Sequence, residues 1–113
     1  MTTQVLDEPG TVVLDANGYG LITFQPESFR TWNVTSINVR TDQGPAETPV
    51  PQCTVYLGVV DPGAIKAQTY MGNRSTAQGS IIVQPSTQLL VEWTNGIPGS
   101  TATVSLYGQM SMR

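Results

Sequence analysis

Hydrophobic and polar residues alternate along this chain in short runs. The run from Cys53 to Val60, for example, points every second residue, beginning with Cys53, to one side. No window of about a dozen residues places apolar side chains at helical spacing without an interrupting Gly or Pro. About eight such runs, separated by turn residues roughly every ten positions, predict a single antiparallel β-sandwich. The strand number favours a jelly-roll-like arrangement, with an immunoglobulin-like sandwich as the alternative.

Two Asn-Gly dipeptides, beginning at positions 17 and 95, lie between apolar runs. Asn-Gly readily supplies the positive φ angles that tight hairpin turns need. We therefore expect one hairpin that joins residues 11–14 to residues 20–24. A second is expected to join residues 89–93 to residues 102–107, side by side in the middle of a sheet.

Three further segments carry a structural prediction. Between Trp32 and Thr41 the apolar residues change from even to odd positions near Thr35, which predicts either a β-bulge or a strand covered on both faces. The proline-rich segment 42–51 predicts an irregular loop, because proline cannot join a central ladder. Residues 64–71 are expected to form an edge strand.

The length of 113 residues suits one hydrophobic core. We divide the chain into an N-terminal arm (residues 1–9), a β-sandwich domain (residues 10–108) and a C-terminal tail (residues 109–113). Residues 2–8 are too polar to build much core, so the arm is expected to dock on a neighbouring molecule. Met110 and Met112 place soft apolar side chains in the tail, where a partner would cover them.

The composition restricts the partners. Lys and Arg number only five and are scattered, so no basic stripe exists for a nucleic acid backbone. We find neither a signal peptide nor an apolar stretch of about 20 residues, and expect a soluble product of the cytoplasm with no membrane partner. Charged residues make up only 12% of the chain, which indicates that partners occupy much of the exterior.

The residue types needed for most catalysis are scarce. The sequence has no histidine, which removes the usual general base and the commonest metal ligand. A lone cysteine, Cys53, excludes an internal disulfide and a multi-cysteine zinc site, and its strand position predicts burial. We therefore expect no enzyme, no cofactor and no metal.

Carboxylates offer the remaining route to chemistry. Most of the candidates lie in predicted loops, where Asp commonly serves turn geometry, and Glu92 is expected to face outward from a strand. A small hydrolase that depends on Asp61 or Glu92 is the least favoured function, and a calcium site in a loop such as Asp61-Pro62-Gly63 is a weak alternative. The loop candidates are Asp15, Asp42, Glu47 and Asp61.

Aromatic residues divide into core and surface candidates. Trp32 and Trp93 lie in apolar strands and are predicted to be core. Tyr19 and Tyr70 lie beside turns, where they could contact a neighbouring subunit or, together with Asn17 and Asn73, a glycan. The full set of predicted partner-binding residues is Thr2, Val5, Leu6, Tyr19, Tyr70, Met110 and Met112.

Several segments between residues 10 and 108 resemble the small virion structural proteins of tailed phages that infect actinobacteria. These segments are Phe24-Gln25-Pro26, Trp32-Asn33-Val34-Thr35, Ile37-Asn38-Val39, Cys53-Thr54-Val55-Tyr56-Leu57-Gly58, Gly72-Asn73, Leu90-Val91-Glu92-Trp93 and Ala102-Thr103-Val104-Ser105-Leu106-Tyr107-Gly108.

The resemblance implies a β-sandwich that forms a symmetric homo-oligomer on the phage particle, as a minor tail component or a capsid decoration protein. It implies no catalytic residues. The expected function is thus a non-enzymatic virion structural protein that assembles with itself and with neighbouring virion proteins. The alternative is a glycan-binding module for receptor recognition on the virion surface.

Overall fold

The computed structural model describes the backbone of residues 2–42, 51–58, 69–71 and 74–112, and the side chains of residues 4–42, 51–58 and 80–111. Within these ranges the chain forms strands and turns and contains no helix, as predicted. The strands of this part of the chain are β1 (Thr2–Val13), β2 (Gly20–Phe24), β3 (Arg30–Thr41), β4 (Gln52–Leu57), β5 (Thr69–Met71), β6 (Arg74–Val83), β7 (Leu89–Thr94) and β8 (Thr101–Met112).

The strands form two four-stranded antiparallel sheets. The long sheet has the order β1-β8-β3-β6, and the short sheet has the order β2-β7-β4-β5. β1 pairs with β8, β2 with β7, β3 with β6 and β4 with β5, as in one long hairpin that has been rolled into two layers. This is the strand order of a jelly roll. The prediction of a jelly-roll-like sandwich is confirmed.

Neither predicted hairpin joins two strands of one sheet. The turns do adopt positive φ angles, 72° at Gly18 and 60° at Asn95. However, β1 and β8 lie in the long sheet, whereas β2 and β7 lie in the short sheet, so each connection crosses between the layers. The Gly96 amide donates to the Gly18 carbonyl at 3.1 Å, which ties the two crossings together. Local turn chemistry sets the backbone of a turn, but burial of the core decides which sheet each strand joins.

A β-bulge in β3 produces the predicted change of face. The register of β3 shifts between Val34 and Ser36 against both of its neighbours, β6 and β8. Val34 is buried before the shift and Ile37 is buried after it. The bulge therefore keeps both halves of β3 directed at the core.

The core lies between the inner faces of the two sheets. Trp32, Trp93 and Cys53 are buried there, as predicted. The remaining buried apolar side chains that form this cluster are Leu6, Leu14, Phe24, Val34, Ile37, Val39, Val55, Ile81, Val83, Leu89, Val91, Ala102, Val104 and Leu106.

Both ends of the described chain belong to the long sheet, so the division into arm, domain and tail requires correction. β1 and β8 pair continuously from Thr2 with Met112 to Val13 with Thr101. Residues 2–9 and 109–112 are thus strand rather than arm and tail. The sequence pattern did not indicate a strand at residues 2–9 because the inward positions of β1 include Glu8 and Gly10, which interrupt the apolar alternation.

Some predictions fall on other parts of the chain. Of the predicted edge strand at residues 64–71, β5 (Thr69–Met71) is described and does lie at the edge of the short sheet. Most of the predicted loop at residues 42–51 lies outside the described residues, as do Glu47, Asp61 and Asn73.

Candidate functional site

The outer face of the long sheet carries several exposed apolar side chains. Val5, on β1, has 81% of its surface exposed, and Val13 on the same strand is also exposed. Ile82 of β6 and Tyr107 of β8 are exposed on the same face. We call the surface formed by Val5, Val13, Ile82 and Tyr107 the outer face.

Among the described residues, β1 pairs on one side only, with β8, so its other side is an open edge of the long sheet. The Leu14 amide donates to the Ser100 carbonyl at 2.8 Å, which continues the ladder between β1 and β8. The hydrogen-bonding direction of the backbone alternates along an antiparallel strand. The N–H and C=O groups of the even-numbered residues of β1 therefore point to β8, and those of the odd-numbered residues point to the open edge. Val5 and Thr11 thus direct their amides to the open edge. Pro9 also occupies an outward position, where its missing N–H breaks no ladder bond.

Two of the predicted partner-binding residues contact the protein's own core. Leu6 has 0% of its surface exposed, so its prediction as a partner-binding residue is wrong. It occupies an inward position of β1, whereas the adjacent Val5 points outward. Met110 is partly buried against the core, and its sulfur accepts a hydrogen bond from Arg30 Nη1 at 3.4 Å.

For three other predicted residues the structure gives the backbone alone. Thr2 and Met112 pair with each other at the ends of β1 and β8. Tyr70 pairs with Cys53 across β5 and β4. Their side chains lie outside the described residues, so their partner-binding role remains a prediction.

Tyr19 belongs to a small polar cluster on the outer side of the short sheet. Its side chain is 36% exposed and interacts with the Glu92 carboxylate. The Tyr56 hydroxyl donates to Glu92 Oε1 at 3.2 Å. Burial, followed by the interaction with Glu92, raises the pKa of both Tyr19 and Tyr56. Glu92 faces outward as predicted and organises two phenol groups.

The described loop carboxylates support turns. Asp15 Oδ1 accepts hydrogen bonds from the amides of Asn17, at 2.8 Å, and Tyr19, at 3.1 Å. Asp42 Oδ1 accepts from the Thr101 amide at 3.0 Å. These contacts stabilise the first sheet crossing and the start of β8, respectively.

Phe29 is a surface feature that the sequence pattern did not indicate. It lies in the turn between β2 and β3, which the Arg30 amide closes by donating to the Glu27 carbonyl at 3.1 Å. Its φ of 67° places it at a turn position that normally requires Gly or Asn, and a bulky residue there costs about 1–3 kcal/mol. The ring does not recover this cost by burial, because Phe29 is 69% exposed.

Phe29 forms one wall of an open groove between two turns. Gln25 Nε2 donates to the Pro85 carbonyl at 3.1 Å, and Gln88 Nε2 donates to Gln25 Oε1 at 3.5 Å, so side chains tie the turns together. The groove has a volume of about 540 Å³. The described residues that line it are Ser28, Phe29, Gln84, Pro85 and Ser86. The only sequence signal was an aromatic residue within a polar turn.

The described residues hold neither a metal-binding group nor a membrane-spanning helix. No three His, Cys, Asp or Glu side chains in this part of the chain come together in a group that could hold a metal ion. Nor do these residues contain a helix of the length and apolar character needed to cross a membrane.

Comparison of the chain with protein-family models, curated proteins and solved structures finds no match.

Proposed function

We propose that this protein is a non-enzymatic structural component of a phage virion, which assembles with itself and binds neighbouring virion proteins as a minor tail or capsid decoration component. The sequence resemblance supports this proposal. The jelly roll is consistent with it, since viral capsid domains commonly use this fold. A fold alone is compatible with many functions, so the evidence for assembly must come from the features of the surface.

The observation that carries the proposal is the open edge of β1 beside the exposed outer face. β1 is 12 residues long, and long open edges readily pair with strands of other molecules. Asp7 and Pro9 interrupt this edge in the middle, as charges and proline do in proteins that avoid indiscriminate pairing. A specific partner therefore has the segment around Val5 or the segment around Thr11 available.

The segment around Val5 suits a second copy of the chain. In an antiparallel pair of β1 strands centred on Val5, each Val5 faces its copy and Asp7 faces Thr3, so no carboxylates oppose one another. The pairing would cover the Val5 side chain, which is the most exposed of the large apolar side chains in the described residues.

Light scattering over a wide concentration range tests self-assembly, with Val5→Pro as the disrupting variant. Because the Val5 amide points outward, proline there removes an edge donor without removing a bond to β8. Thr11→Pro is the matched control, since it makes the same change beyond Pro9. We expect a stable oligomer for the wild type and Thr11→Pro and a monomer for Val5→Pro. A wild-type monomer at every concentration would contradict self-assembly through this edge.

The virion location has its own test. Phage particles purified on a density gradient should contain the chain in a fixed ratio to the major capsid protein, as measured by quantitative mass spectrometry. Finding the chain only in the soluble fraction of the lysate would contradict a structural role in the particle.

Glycan recognition is a second candidate function, which the groove beside Phe29 favours. An exposed aromatic ring next to uncharged polar side chains is suited to a sugar. A binding assay with neutral sugars and the whole protein tests this candidate function. The absence of any binding would contradict glycan recognition.

A further inference from the structure

We infer that the groove between the β2–β3 and β6–β7 turns is a binding site for a neutral saccharide, with Phe29 as the stacking platform. This inference deepens the second candidate function and does not depend on self-assembly. Tyr19, which the sequence indicated for glycan contact, is not among the described residues that line this groove.

Phe29 occupies a position that suits glycine better than phenylalanine. It combines a φ of 67° with a side chain that is 69% exposed. Glycine would adopt this backbone conformation without strain, and an exposed phenyl ring contributes little to the core. Residues held in such conformations concentrate at ligand sites, where the surrounding structure maintains them. The ring is thus present at a position where folding alone favours glycine.

Side-chain hydrogen bonds link the two turns that form the groove. The bond from Gln25 to the Pro85 carbonyl and that from Gln88 to Gln25 connect the two turns on which the groove is built. Gln88 also accepts a hydrogen bond, through its backbone carbonyl, from the Gly58 amide at 2.8 Å. These contacts restrain the two turns relative to each other, and such restraint lowers the entropy lost when a ligand binds.

The chemistry of the lining selects the ligand class. Among the described residues, the groove is bordered by a phenyl ring, a proline ring, two serine hydroxyls and the Gln84 amide, and none of these side chains is charged. The apolar C–H face of a pyranose ring packs on an aromatic ring, while its hydroxyls exchange hydrogen bonds with serine and glutamine. The nearby charges of Glu27 and Arg30 lie 3.6 Å apart and offset one another, so an anionic ligand gains no net attraction.

The volume agrees with a small ligand. At about 540 Å³, the groove falls within the range of roughly 300–1,000 Å³ that is typical of small-molecule sites. One or two sugar units fill such a space. A protein partner would need a larger contact, extending well beyond the five described residues that line the groove.

The test uses saturation-transfer NMR on the whole protein with glucose, galactose, mannose, N-acetylglucosamine and their β-linked disaccharides. Concentrations up to about 10 mM detect dissociation constants near 1 mM. We expect transfer from the protein to the C–H groups of at least one sugar. Phe29→Gly should weaken binding about tenfold or more, the size expected for the loss of an aromatic contact.

The same variant separates binding from folding. Because glycine relieves the strained backbone, the melting temperature of Phe29→Gly should equal or exceed that of the wild type. Gln84→Ala should also weaken binding, whereas Tyr19→Phe, which lies outside the groove, should leave it unchanged. The inference would be overturned if no sugar received saturation transfer from the wild-type protein. It would also be overturned if Phe29→Gly left the transfer unchanged. Loss of attachment to purified virions in Phe29→Gly without sugar binding would assign the groove to a protein partner instead.

The outcomes also distinguish this site from the assembly function. Phe29→Gly should leave the oligomer mass unchanged in light scattering, and Val5→Pro should leave sugar binding unchanged. The absence of sugar binding would thus contradict the saccharide site but not self-assembly. The absence of an oligomer would contradict self-assembly but not the saccharide site.

Discussion

Gly108 of β8 lies directly against the backbone carbonyl of Asn33 on β3, so a Cβ atom at position 108 would overlap the Asn33 oxygen. This contact occurs next to the bulge of β3, where the register changes between Val34 and Ser36. The absence of a side chain at position 108 allows the two strands to approach at this point. Gly108 therefore helps to define the register of the long sheet.

Gly108→Ala should lower the free energy of unfolding by about 3 kcal/mol, because the obstacle is backbone, which cannot rotate away. Gly10→Ala is the comparison variant, since a Cβ there would meet side-chain atoms of Phe24 and Ile22 rather than backbone. Urea denaturation of both variants measures the difference. Equal losses would show that the contact between Gly108 and Asn33 has no special role.

Leu6→Ala should destabilise the fold by about 2–5 kcal/mol, as expected for the truncation of a fully buried side chain. Val13→Ala, on the exposed side of the same strand and outside the pairing centred on Val5, should change stability by less than about 0.5 kcal/mol. Thermal unfolding of the two variants gives the comparison. A negligible effect of Leu6→Ala would mean that the N-terminal residues are an arm after all and do not complete the sandwich.

Alkaline pH should destabilise the protein through Cys53. Burial, with a smaller contribution from the Glu92 carboxylate, raises the pKa of the Cys53 thiol from 9.0 to about 12. The unfolded chain therefore loses this proton at a lower pH than the folded chain, and the stabilisation that is complete below pH 9 is lost as the pH rises towards 12. Between these values the slope approaches about 1.4 kcal/mol per pH unit.

Cys53→Ala isolates this effect, because the tyrosines that also titrate at high pH remain in the variant. Its free energy of unfolding should fall less steeply than that of the wild type between about pH 9 and pH 11, where the wild-type thiol is ionised only in the unfolded chain. The folded wild type should also react with a thiol reagent only as fast as it unfolds. Parallel pH profiles, or rapid reaction in the folded state, would contradict burial of the thiol.

Glu92→Gln should lower the pKa of Tyr56 and Tyr19 towards the ordinary value, since the carboxylate acts on both phenols in addition to burial. Tyrosinate absorbance as a function of pH measures this shift. The amide oxygen of the substituted side chain still accepts a hydrogen bond from the Tyr56 hydroxyl, so the variant should remain folded. Unchanged titration of both tyrosines would show that burial alone perturbs them.

The fold class was predictable because it depends on patterns that span only a few residues. Strict alternation placed Cys53 in the core, and the shift of apolar positions around Thr35 predicted the bulge. Burial of Trp32 and Trp93 followed from their apolar strands. These features are local and need no knowledge of which strands are neighbours.

The pairing of strands and the candidate site could not be predicted in this way. An Asn-Gly turn is compatible with a hairpin and with a crossing between sheets, and the core selects the crossing in both cases. Leu6 was concealed by polar inward neighbours. Phe29 was missed because its significance depends on a positive φ angle, which residue type alone does not predict for phenylalanine.

Hydrogen exchange at the Val5 amide, followed at increasing protein concentration, tests the central claim of assembly through the β1 edge most directly. The Val5 amide points to the open edge, whereas the Leu6 amide bonds to β8 and should be protected at every concentration. We expect protection of Val5 to increase by about tenfold or more as the oligomer forms, while Thr11 continues to exchange rapidly. Rapid exchange at Val5 in the fully assembled protein would contradict the account.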